Sequence, residues 1–240
     1  MDHQEAKELL DCLPEDRTLF SYCRDRYAVD LLRIASRRYR SIRELKRSGF
    51  AGLLGKPGIA SLISECGSGH IDGELFDNYW QEPGNTYLLT AGLWDGRTGR
   101  HAQTSRRGIN LVLRLNFNLQ HDRLFCQTMQ PSCPCALNGC GHPVLEFGER
   151  GYFRETLAWA RLDIDLSAGE VLVEEIQSDW VREVGWLSRH LADCSSDENE
   201  LPGHCFSTTV GQARAYIAYV GPLIRDWSQA MLAAVVDFVD

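Results

Sequence analysis

Two β-patterned runs, LAWARLDIDL and VLVEEIQSDW, flank Ala168 and Gly169, and their alternation around a glycine-containing turn predicts a hairpin over 157–180. Pairing Ser167 with Glu170 sets Leu166, Ile164, Leu162, Ala160 and Ala158 opposite Val171, Val173, Glu175, Gln177 and Asp179 on one face. That face is apolar near the turn and polar at its far end. Two carboxylates and an amide turned inward beside two alanines are costly without partners, so the small residues are expected to leave room for a ligand, a metal or an arginine. On the other face the same register puts Glu174 opposite Asp163 and Arg161 opposite Ile176.

Further strands are expected in TYLLTAGLW and in INLVLRLNFNL, joined by a turn at Asp95 and Gly96 or at Gly99. In the second, Leu111, Leu113, Leu115, Phe117 and Leu119 alternate with polar residues, which predicts one buried and one wet face. With the hairpin this makes an antiparallel sheet of four or more strands.

Helical spacing dominates the two ends of the chain. Ala28, Leu31, Leu32, Ala35, Tyr39, Ile42 and Leu45 predict one long amphipathic helix that stops at Gly49. Gly and Pro then break the chain into turns around a short helix near 59–66. Trp180, Val184, Leu187 and Leu191 form a later stripe, and the acidic, apolar-poor 193–203 reads as a mobile loop. Thr208 or Thr209 is placed to cap a helix that Gly221 and Pro222 interrupt, before Leu223, Trp227, Met231 and Val235 begin another. The pattern as a whole is an α+β fold: N-terminal helices over 1–80, then an α+β region over 81–240 with a central antiparallel sheet, a Cys/His-rich loop at 126–143, and C-terminal helices packed on the sheet.

Composition narrows the classes. A chain of 240 residues has ample apolar content for a core, and no run approaches the roughly eighteen apolar residues of a membrane span. The acidic start MDHQEAKELLDCLPED is unlike a signal peptide, so a cytoplasmic location and no membrane partner are expected. Nine cysteines without an export signal favour thiols and metal ligands over disulfides. A net charge of -8 argues against nucleic-acid binding by the whole surface, but it leaves a local patch open. Such a patch is visible: Arg24, Arg26, Arg33, Arg37, Arg38, Arg40, Arg43, Lys46 and Arg47 lie on the helix over 28–45 and beside it, against only Asp25, Asp30 and Glu44. A solvated face and a phosphate-binding face look alike at this level.

Two clusters carry candidate chemistry. Cys133, Cys135, Cys140 and His142 supply the ligand types and number of a tetrahedral zinc site, structural because four protein ligands leave no open position; Cys126 or His121 are possible substitutes, and free thiols in a loop are the competing reading. On the strand 171–180, Glu175, Gln177 and Asp179 project the same way at roughly 7 Å steps. They are the candidate catalytic residues, able to bind a hard cation or to act as an oriented general base, with Arg161, Glu174 and Trp180 as candidate substrate contacts. The competing reading is a buried network tied to an arginine of the N-terminal helix. No Gly-x-Ser-x-Gly, His-Glu-x-x-His, Gly-x-Gly-x-x-Gly or Cys-x-x-Cys motif occurs.

The run 174–180, EEIQSDW, resembles a segment of uncharacterised bacterial proteins and of large phage or mobile-element proteins, in which a helix like that around Asp226, Trp227, Ala230, Met231, Ala233 and Ala234 follows. The order of sheet, polar-ended strand and helix also resembles the GNAT acetyltransferases. This chain departs from them in having no Gln/Arg-x-x-Gly-x-Gly/Ala loop after the strand, which argues against an acyl-CoA site. The expected function is a small cytoplasmic enzyme of group-transfer or hydrolytic type, acting on a small-molecule or protein substrate. The rival is a zinc-stabilised binding protein whose basic helix meets nucleic acid or an acidic protein.

Overall fold

The computed structural model describes residues 1–11, 18–77, 79, 84–94, 104–106, 108–133, 136–138, 155–201 and 205–239. Its elements run α1 His3–Asp11, β1 Thr18–Tyr22, α2 Arg26–Ser36, α3 Ile42–Leu45, a 3-10 turn Ala51–Gly55, α4 Pro57–Glu65 and α5 Glu74–Asp77. After them come β2 Asn85–Trp94, β3 Asn110–Asn116, α6 Leu119–Met129, β4 Thr156–Asp165, β5 Glu170–Gln177, α7 Asp179–Ala192, α8 Val210–Ile224 and α9 Trp227–Val239. The fold is α+β, with a five-stranded sheet in the order β1-β2-β3-β4-β5. The pairs from β2 to β5 are antiparallel. Among the described residues, no helix is long and apolar enough to cross a membrane.

The chain divides into two compact units. One joins Met1–Phe20 to Thr86–Met231 and holds the body of the sheet with α6, α7 and α8; the other joins Ser21–Asn85 to Leu232–Asp240 and is helical. The helical unit therefore starts later than position 1 and also takes in the last residues of the chain.

In the sheet unit, β3 and β4 are buried along nearly their whole length. The expected wet face of β3 is thus corrected. Asn110, Arg114 and Asn116 are as buried as the leucines between them, which requires that their polar groups be met inside the protein. Asn116 is: its amide donates to the Leu88 carbonyl and the Thr90 hydroxyl, and its carbonyl accepts from Thr156. The opposite face joins Leu111, Leu113 and Leu115 to Leu162, Ala160 and Ala158.

Helix α7 has the expected stripe, with Trp180, Val184, Leu187 and Leu191 buried. It contacts β4 and α8, and Ser178 both caps it through the Val181 amide and ties it to the sheet by donating to the Leu157 carbonyl. The core here is aromatic. Trp180 meets Phe117, Phe125 and the His121 ring edge to face at centroid distances of 5.1, 5.0 and 5.5 Å. Thr209 caps α8 through a capping box with Gln212. Pro222 does not interrupt that helix where expected, since the break comes at Arg225 and Asp226, before α9. The described part of the expected loop 193–203, which runs to Leu201, is not loose: Arg214 of α8 bonds Asp197 and the carbonyls of Leu191 and Cys194.

In the helical unit the long helix expected over 28–45 is two helices. Ser41 ends the continuity, because it caps α3 in a capping box with Glu44 and bridges to His70. The Ser-x-x-Glu signature was present at 41–44 and outranks the apolar spacing that runs across it.

Candidate functional site

The hairpin exists, but its register differs from expectation in two ways. The turn is longer: Asp165 pairs with Glu170, and the Asp165 carboxylate accepts from the Ser167 amide and hydroxyl and the Ala168 amide, while Gly169 adopts φ 64°. This moves the pairing by two residues, which keeps Val171 and Val173 with Ile164 and Leu162 on the apolar face. A bulge then follows. Val173 pairs with Leu162, but Glu175 pairs with Arg161, so Glu174 is the extra residue and the faces exchange beyond it. Ile176 takes the place opposite Ala160, and Glu175 and Gln177 stand with Arg161 and Trp159. The expected acidic face against Ala158 and Ala160 is corrected, and so is the pairing of Arg161 with Ile176 and of Glu174 with Asp163.

The polar face this creates runs across the sheet in rows. Gly92, Val112, Arg161 and Glu175 form one row; Thr90, Arg114, Trp159 and Gln177 form the next. Arg161 is the centre. Its side chain is 8% exposed, its guanidinium carbon stands 5.0 Å from the Trp94 ring centre, and Trp94 in turn stacks on Trp159 at 6.0 Å. Its Nη2 lies 3.3 Å from a carboxylate oxygen of both Glu174 and Glu175. Its Nε and Nη1 are buried and meet no hydrogen-bond acceptor among the described residues.

The two glutamates are unequal. Glu174 is 2% exposed and also accepts from the Ser105 amide at 2.8 Å, so it is the inner anchor of the guanidinium. Glu175 is 29% exposed, and its other oxygen accepts from the Gln177 amide at 2.6 Å. A carboxylate has about four lone-pair sites, so Glu175 keeps capacity for a proton or a substrate hydroxyl. Asp163, farther along β4, faces Arg106 at 3.4 Å and the N-terminal ammonium of Met1 at 3.8 Å.

No family model matches this chain, and no curated protein or solved structure matches it. What the residues do must therefore be read from their own geometry.

Of the expected site, the structure brings together Arg161, Glu174, Glu175 and Gln177. Asp179 and Trp180 go elsewhere. Asp179 opens α7, where its carboxylate suits the helix N-terminus and bonds Arg182 at 2.6 Å. Trp180 is wholly buried in the aromatic core. Cys133 is described as a thiol, whereas Cys135, Cys140 and His142 lie outside the described residues, as do the turn at 95–99, His101 and His204. Among the described residues no group of three or more His, Cys, Asp or Glu side chains is arranged to hold a metal.

A second polar cluster had no sequence signal. His121 is 1% exposed and stacks on Phe117 at 3.6 Å. Its Nδ1 is 3.0 Å from the Asp122 carboxylate and its Nε2 2.9 Å from the Tyr216 hydroxyl. Glu155, also buried, accepts from the Asn138 amide at 2.7 Å. Burial holds the His121 ring neutral below its ordinary range, although Asp122 pulls the other way. Burial and then the Asp122 carboxylate push Glu155 well above the ordinary carboxylate range. Tyr216 is likewise pushed up, by burial first and then by Glu155 and Asp122.

Proposed function

We propose that the chain is a small enzyme of group-transfer or hydrolytic type whose site is the polar face around Arg161. The observation that carries this reading is the buried guanidinium with two unmatched donor nitrogens beside a half-buried carboxylate. A buried N–H without an acceptor costs roughly 1–3 kcal/mol, and a substrate oxygen would relieve that cost on binding. Arg161 would hold an anionic or strongly polarised oxygen of the substrate, with Glu174 fixing the guanidinium from below. Glu175, oriented by Gln177, would take the proton of a water or hydroxyl nucleophile. The substrate is a small molecule or a protein side chain, and the cytoplasm is the proposed location. Zinc on Cys133, Cys135, Cys140 and His142 belongs to the same proposal as a structural ion; metal analysis of the purified chain should then find it in equimolar amount.

The reading is tested with p-nitrophenyl acetate and p-nitrophenyl phosphate as general acyl and phosphoryl probes. Turnover of either should fall by roughly 10²-fold or more in Glu175→Gln, the usual worth of a general base. Turnover unchanged in that variant would refute the assigned role.

A further inference from the structure

The helical unit carries a cavity that the enzymatic reading does not use. It measures about 280 Å³ and is lined by Arg33, Ser36, Arg37, Arg40 and Gly73. Arg33 and Arg37 stand one helical turn apart at the end of α2, where Arg37 is the C-cap, and Arg40 joins them from the non-helical chain just beyond. The backbone fixes the rest of the wall. The Arg40 carbonyl accepts from the Ile71 amide, Ser41 bridges to His70, and the buried Ser36 hydroxyl donates to the Arg33 carbonyl. Gly73 completes the lining without a side chain; a Cβ there would come to 3.8 Å from the Ser36 hydroxyl, which is ordinary contact, so a larger residue would occupy this space without backbone strain.

Like charges at helical i, i+4 spacing repel, and no acid is among the described lining residues. Of the acids around it, Asp30 pairs with Arg26 at 3.5 Å and also lies within reach of the Arg33 charge, Glu44 accepts from the Arg40 and Ser41 amides, and Asp72 accepts from the Leu75 amide. Each guanidinium has five N–H donors, so one that bonds protein groups still has donors to turn into a cavity. We propose that this cavity is an anion site for the phosphoryl group of a small phosphorylated ligand. Three planar cations around one concave space match a tetrahedral oxyanion with three free oxygens better than a two-oxygen carboxylate. The volume admits a phosphate or diphosphate and is at the small end of ligand sites, whereas a nucleic-acid backbone needs an open track of cations.

The test is calorimetric titration of the full chain with inorganic phosphate and with pyrophosphate at low salt. Four variants accompany it: Arg40→Gln and Gly73→Leu in the lining, Arg38→Gln as an exposed basic control outside it, and Arg161→Met in the other unit. Saturable binding should weaken at least roughly tenfold in Arg40→Gln, the worth of one charge-assisted contact, and should be lost in Gly73→Leu. It should persist in Arg38→Gln and Arg161→Met. Should Gly73→Leu fail to fold, the contrast between Arg40→Gln and Arg38→Gln decides. Absence of binding, equal loss in Arg38→Gln and Arg40→Gln, or tight binding of a single-stranded oligonucleotide that pyrophosphate does not displace would each overturn the proposal. Loss in Arg161→Met alone would place the anion at the sheet and overturn it too.

Discussion

His121 and Arg161 are both buried, both stand beside carboxylates and both belong to the sheet unit, yet their nitrogens fare differently. Each ring nitrogen of His121 has a partner, Asp122 on one side and Tyr216 on the other, and aromatic rings close around it. Arg161 engages one nitrogen of three. The His121 ring has no nitrogen left to offer a ligand, so its bonds serve the fold. The Arg161 cluster is unsaturated at a place where one member, Glu175, reaches solvent. A buried polar cluster becomes a candidate site when geometry leaves some of its donors unmatched beside an opening to solvent, and polarity alone does not make it one.

The contrast can be broken first at the His121 cluster. His121→Ala removes a stacked ring and takes a hydrogen-bond partner from both Tyr216 and Asp122, so thermal or urea denaturation should show a loss of about 3–5 kcal/mol. A loss under about 1 kcal/mol would mean that the cluster is not structural. Glu174→Gln should come next, at about 3 kcal/mol, because it takes the inner counter-charge from a buried guanidinium. Stability equal to that of the parent chain would show that Glu174 does not anchor Arg161.

A smaller effect sharpens the picture through pH. Because Glu155 holds its proton in the fold above the ordinary value of 4.5, the folded state binds a proton that the unfolded chain has released. Its contribution is complete below that value and is lost as pH rises toward the folded one. Glu155→Gln keeps an acceptor for Asn138 and does not titrate, so its melting temperature should gain on the parent as pH rises from about 4.5 toward neutrality. His121 acts in the opposite sense: held neutral, it adds stability that grows as pH rises toward its ordinary value of 6.5 and is lost in acid. A Glu155→Gln variant whose melting curve runs parallel to the parent at every pH would place Glu155 outside the buried cluster.

Much of the frame was legible from spacing, because apolar periodicity reports burial directly. The hairpin, the stripe of α7 and the cap of α8 follow from it. The bulge at Glu174 does not. An extra residue in a strand costs little locally and is set by what the two faces must bury, so no residue in VEEIQ announces it, yet it decides which way Glu175 points. Arg161 was recognised as a member of the group only because it lies on the facing strand; that its donors stay unmatched is a tertiary fact. The His121 and Tyr216 pair joins residues far apart in the chain, and its assembly depends on α6 meeting α8. The short strand β1, TLFSY, was missed because only two of its five residues are buried and a five-residue run carries little period.

The difference between the two glutamates on Arg161 tests the central claim most directly. Glu174→Gln and Glu175→Gln should be compared in one thermal denaturation series, with probe-ester turnover measured on the same samples. An open site predicts that Glu175→Gln changes stability by less than about 0.5 kcal/mol while losing turnover, because a partly exposed pair contributes little to folding. Glu174→Gln should instead lose stability. Equal destabilisation by both substitutions, with turnover unchanged in Glu175→Gln, would make the Arg161 cluster a structural ion pair like any other and would contradict the account.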